Sequence, residues 1–230
     1  MATDELREFL DTEVIGLAFV WKMYRAMYAK PANVEKMNQI SPTLFGLMQR
    51  AVIADLIRRV CAITDSPDSG ANLVLRTVAE SWSKSTGNPI PASVDAKMVA
   101  AETGVRTIRK HRNKLYAHLD VRTKRKKAAN LPKLIGRHLD DAVRLIFEAM
   151  SAINHLVGGP NVAYEQTMLG NVEGEFEWML SDVLRFKHLR ALAADTKNSD
   201  ADVRRLVARR SGRTDPPILE SVVREEEVDG

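Results

Sequence analysis

Arginine and histidine stand close together in the segment His111-Arg112-Asn113-Lys114-Leu115-Tyr116-Ala117-His118-Leu119-Asp120. These side chains supply the parts of one reaction. An arginine guanidinium holds a phosphate through two parallel hydrogen bonds, and a histidine, with an unperturbed pKa of ~6.5, gives and takes protons near neutral pH. Attack of a ribose 2′-hydroxyl on the neighbouring phosphate needs a group to take a proton, a group to protonate the departing 5′-oxygen, and a cation for the non-bridging oxygens. Arg112, Asn113 and His118 are therefore the candidate catalytic residues: phosphate clamp, neutral hydrogen-bonding partner and proton carrier. The scheme uses no metal and no cofactor. His138, His155 and His188 are far apart and make no ligand pattern with Cys61, so no metal site is expected.

Spacing alone decides little, because Arg106 and His111 form a second arginine–histidine pair at a similar gap. The surroundings carry more weight. Between Arg106 and Lys127 there are ten cations and one acid, Asp120, a local excess of +9 in a chain whose formal charge is +4, so the remainder is net acidic. A concentrated cationic segment is the footprint of a polyanionic partner. Arg109, Lys114, Lys124, Arg125, Lys126 and Lys127 are read as RNA contacts. Adjacent cations without aromatics hold phosphates but specify no base.

Spacings of three and four between apolar residues recur throughout, with no sustained alternation, so the class is all-α. One helix is expected from Thr3 as N-cap through Val14, Leu17 and Trp21 until Pro31 stops it. A second is expected from Ser41-Pro42 through Leu56 and Val60 to Asp65. A short helix from Ala71 to Trp82 follows, and then a long one from Ser93 through Met98, Val99, Val105 and Ile108 into the motif. Leu131-Pro132 restarts a helix with a clear stripe of Leu134, Ile135, Leu139, Val143, Ile146, Met150 and Ile153, and Phe176 to Leu192 forms the last. The organisation is one helical domain over residues 1–195 and a charged tail over 196–230, partly extended or disordered.

Helix geometry constrains the pair. Six residues turn an ideal helix by about 240°, so Arg112 and His118 stand some 120° apart and reach one phosphate only if the helix ends or bends, or projects into a cleft. One chain offers one suitable histidine where two titrating groups are wanted. A two-fold dimer would appose two copies of His118 and Arg112 across one site. The same residues also have a plain reading, Arg112 in a helix ion pair and His118 closing a helix terminus with Asp120.

The single cysteine, Cys61, lies in an apolar run and reads as core rather than nucleophile, consistent with a reducing compartment. The acidic start and the lack of a long apolar stretch predict a cytoplasmic protein without membrane contact.

The string His-Arg-Asn-Lys-Leu-Tyr-Ala-His-Leu-Asp over residues 111–120 resembles the signature of the HEPN superfamily, in particular its abortive-infection-like branch. The resemblance extends more loosely to Asp-Leu-Ile-Arg-Arg in the helix ending at Asp65. It implies a HEPN-like helical bundle, homodimeric, that cleaves RNA without metal, with the roles falling on Arg112, Asn113 and His118. Where one toxin branch has a modifiable tyrosine two residues past the histidine, this chain has Asp120, so control by adenylylation is not implied; a different antitoxin protein stays open. The expectation is an endoribonuclease of a defence or toxin-antitoxin type. The alternative is a non-catalytic module that binds RNA or a protein through the same patch. A third reading has the acidic tail, Glu225 to Glu227, covering the basic cleft.

Overall fold

The computed structural model describes residues 2–67, 72–113, 136–166 and 172–195. Within these every regular element is helical: α1 (Thr3–Tyr28), α2 (Pro31–Ile40), α3 (Pro42–Thr64), α4 (Leu75–Thr86), α5 (Ala92–Gly104), α6 (Arg106–His111), α7 (Gly136–Leu156), a 3-10 turn (Tyr164–Gln166) and α8 (Val172–Asp195). Contacts divide the chain into two compact units, Met1–Phe176 and Glu177–Gly230.

In the first unit α1 and α3 lie antiparallel, tied at one end by Tyr28 Oη donating to the Phe45 carbonyl at 2.9 Å and at the other by Arg59 and Glu13 at 3.4 Å. Proline governs the corner between them in a way the sequence reading missed. Pro31 does not merely end α1; it starts α2 at a position where a missing N–H costs nothing. Asn33 then donates from Nδ2 to the Ala26 carbonyl at 2.8 Å, satisfying one of the carbonyls that the end of α1 leaves without a helical partner. The start of α1 also differs from expectation. Thr3 is its first helical residue rather than its cap, and its hydroxyl meets Ser81 Oγ of α4 at 2.9 Å.

The core is built by α1 (Leu10, Val14, Leu17), α3 (Leu56, Ile57, Val60), α4 (Val78), α5 (Met98), α6 (Ile108) and α7 (Val143, Ile146, Met150), all fully buried. Of the apolar stripe expected on this helix, Leu139, Val143, Ile146, Met150 and Ile153 lie on α7 and are buried, and Leu134 and Ile135 lie outside the described residues. Other apolar residues of these helices face outward: Phe9, Leu44, Leu47 and Val99 are exposed. The short helix expected from Ala71 starts later, at Leu75, and runs to Thr86, where Gly87 closes it in the left-handed region at φ 71°.

The long helix expected from Ser93 into the motif is two helices. It breaks at Val105, with φ −87° and ψ 0°, just after Gly104, whose missing side chain admits Leu145 of α7; a Cβ there would sit 2.6 Å from Leu145 Cδ1. The break lets α5 lie along α7 while α6 turns towards the end of α3.

Candidate functional site

The site begins with an acid in an unfavourable place. Asp65 caps the C-terminal end of α3, where the helix already presents partial negative charge and unpaired carbonyls, so cations are favoured there and a carboxylate alone is not. α6 supplies the cations. Arg109 donates from Nη2 to the Thr64 carbonyl at 2.7 Å and to Thr64 Oγ1 at 3.2 Å, and from Nε to Asp65 Oδ1 at 3.2 Å. Arg112 donates from Nη1 to Asp65 Oδ2 and from Nε to Asn113 Oδ1 at 3.1 Å. One carboxylate thus orders both arginines, and a neighbouring amide oxygen steadies the second.

Electrostatics support this geometry. Burial works against the charge on Arg112, but the hydrogen bond to Asp65 and its negative charge more than offset that, and the guanidinium pKa is raised. Arg112 keeps about a quarter of its side-chain surface exposed, and no hydrogen bond among the described residues occupies its Nη2. A guanidinium that is oriented and charged and still partly open can receive a phosphate oxygen. Next to it, Cys61 is fully buried, and burial pushes its thiol up to about 11, with Arg112 and Asp65 acting in opposite senses. It is a packing residue at neutral pH, as its apolar setting implied.

The expected site residues separate as follows. Arg112 and Asn113 stand together at the end of α6, in a wide π-type turn. Arg109, expected to touch RNA, spends its guanidinium on strapping α6 to α3. His118, Lys114, Lys124, Arg125, Lys126 and Lys127 lie outside the described residues. The second arginine–histidine pair does not offer both groups to one ligand, since His111 is buried and Arg106 exposed.

Asp65 and Thr64 are the contributors that sequence reasoning missed. A signal for Asp65 was present: an acid closing a predicted helix demands cations from elsewhere in the chain. A separate open cleft of about 630 Å³ includes Trp21, Arg25, Asp140 and Arg144, but four carboxylates against three cations in its lining suit no polyanion. No described helix is long and apolar enough to cross a membrane.

An all-helical bundle with an arginine anchored at the end of its sixth helix is in keeping with the HEPN class of domains. The chain belongs to the AbiU2 family of that class: the HEPN_AbiU2 family model, described as AbiU2, matches residues 2–169. No curated protein and no solved structure matches the chain. At the level of the family, this membership suggests a nuclease or RNA-related role in defence.

Proposed function

We propose that this protein is an endoribonuclease of a defence or toxin type that cuts RNA without a metal ion, at a site composed from two copies of the chain. The observation that carries the reading is the anchoring of Arg112 by Asp65, within a HEPN family domain and in a segment with ten cations against one acid. In this reading Arg112 neutralises the non-bridging oxygens as charge builds on the phosphorane. One His118 takes the proton of the 2′-hydroxyl while the other copy's His118 protonates the departing 5′-oxygen. Asn113, whose Oδ1 now accepts from Arg112, keeps an amide N–H₂ to offer the phosphate. The second copy supplies the second titrating group, which is why a two-fold assembly belongs to the proposal. Lys124, Arg125, Lys126 and Lys127 would hold the flanking backbone without choosing a sequence.

The chemistry leaves a signature on the products. Purified protein incubated with RNA in the presence of a chelator is expected to generate 2′,3′-cyclic phosphate and 5′-hydroxyl ends. The His118→Ala form is expected to generate neither. Cleavage that appears only with added magnesium, or survives in the His118→Ala form, overturns the proposal. Salt-sensitive RNA binding that persists in Arg112→Ala and His118→Ala forms without cleavage products identifies a silent RNA-binding module instead. An antitoxin protein that blocks the cationic segment remains part of the proposal for a toxin.

A further inference from the structure

We propose that the cleft between α1 and α7 binds a free basic amino acid, arginine or lysine, through its α-ammonium, its α-carboxylate and its side-chain cation. The cleft holds about 630 Å³, ample for a ligand of this size, and all of its lining belongs to the first compact unit. Part of that lining is aromatic. Trp21 of α1 meets Phe147 of α7 edge to face with ring centroids 6.2 Å apart, a surface that suits the aliphatic stem of a long cationic side chain.

Two opposite charges are held around one indole and kept apart. Asp140 accepts from Trp21 Nε1 at 2.9 Å and so stands at the edge of the ring, while the Arg25 guanidinium stands over its face, 5.2 Å from the centroid. Neither enters an ion pair among the described residues. An amino acid carries ammonium and carboxylate on one carbon and answers both: the ammonium donates to Asp140 Oδ2, and the carboxylate accepts from Arg25.

Glu165 supplies the third contact. It lines the same cleft, is in no ion pair among the described residues, and follows directly on Tyr164, which is stacked on Phe147. The other charges of the lining are engaged: Glu173 with Lys30 at 3.1 Å, Asp141 with Arg137 at 3.7 Å, and Arg144 with Glu148; Lys22 too has a partner. Two carboxylates and one guanidinium are thus offered to a ligand, which is the complement of two cations and one carboxylate. A neutral amino acid leaves Glu165 unanswered, and an amine without a carboxylate leaves Arg25 unanswered. This inference does not rest on the ribonuclease reading, and either can fail while the other stands.

The test is isothermal titration of the full chain with L-arginine, which is expected to show a single site with Kd below about 1 mM. Agmatine lacks the carboxylate and N-acetyl-L-arginine lacks the ammonium, and each is expected to bind the wild-type chain at least about tenfold more weakly. Asp140→Asn keeps an oxygen for Trp21 and removes the charge, and Arg25→Gln removes the guanidinium; each is expected to weaken L-arginine binding about tenfold or more, with thermal unfolding confirming that the variants are folded. Glu165→Gln is expected to abolish the preference for L-arginine over L-norleucine. No saturable binding of L-arginine or L-lysine up to about 10 mM overturns the proposal. So does agmatine or N-acetyl-L-arginine binding as tightly as L-arginine, or binding indifferent to both Asp140→Asn and Arg25→Gln.

Discussion

Asp65 at the end of α3 accepts a hydrogen bond from Arg112 at the end of α6, forty-seven residues further along the chain. The same carboxylate also takes Arg109, so the arginine expected to grip phosphate is oriented by an acid that no short motif contains. A positioning role separates from a binding role in its consequences. Asp65→Ala removes a negative charge beside the cationic segment, so RNA affinity is expected to hold or rise, while the cleavage rate falls because the guanidinium loses its orientation. Single-turnover cleavage and RNA titration on the same variant check this. A fall in affinity equal to that of Arg112→Ala would show Asp65 acting on binding instead.

Alkaline stability provides a second check. Tyr164 is buried and stacked on Phe147 with ring centroids 5.4 Å apart; its hydroxyl donates to Asp11 and accepts from Asn154 Nδ2 at 2.8 Å. Burial first, then the hydrogen bond to Asp11 and its charge, raise the phenol pKa above the ordinary 10.0. Because the folded value lies above the unfolded one, this stabilising contribution is fully present below about pH 10 and is lost as pH rises beyond it, where the unfolded chain ionises first. Tyr164→Phe is expected to cost about 1–3 kcal/mol at neutral pH and to shrink the alkaline loss of stability. Cys61, Tyr24 and Tyr28, whose pKa values are also raised by burial, add to the alkaline loss that Tyr164→Phe leaves in place. Urea denaturation from pH 7 to 11 measures both effects; an unchanged alkaline slope contradicts them.

The division of the motif-bearing helix yields a paired prediction. Ile108 and Val99 belong to one apolar pattern in the sequence, yet Ile108 is 0% exposed and Val99 is 44% exposed. Ile108→Ala is expected to destabilise by about 2–5 kcal/mol, and Val99→Ala by less than about 0.5 kcal/mol. Similar midpoints for the two variants in urea would contradict the burial of Ile108 and the exposure of Val99.

Cys61 is expected to be inert. With its side chain fully buried and its thiol pushed up to about 11, almost no thiolate is present or reachable at pH 7 to 8. An aromatic disulfide reagent should label the native protein only at the rate of unfolding, and label it fully in denaturant. Rapid stoichiometric labelling of the native protein contradicts this.

These results show which layers of the chain could be read directly. The helical class followed from spacings of three and four, and α7 was legible because Leu139, Val143, Ile146, Met150 and Ile153 of its expected stripe all meet the same core. α2 was hidden because Pro31 was read as a stop, although the same residue suits the first turn of a helix. The break at Val105 was hidden because an apolar run through Met98, Val105 and Ile108 keeps helical spacing across it; only the close approach of Leu145 to Gly104 reveals why the chain turns. Arg112 and Asn113 were found because their types and adjacency carry chemistry. Asp65 was not, since it reaches them through the fold.

The central claim is that Arg112 and His118 perform the chemistry, and it is tested most directly by single-turnover cleavage of RNA in chelator by the wild-type, Arg112→Ala and His118→Ala chains. The account predicts measurable wild-type cleavage, a loss of about 10²–10³-fold for Arg112→Ala from the missing phosphate clamp, and a loss of about 10²–10⁴-fold for His118→Ala from the missing proton carrier. Equal rates for all three, or no cleavage by the wild-type chain until a metal is supplied, would contradict it.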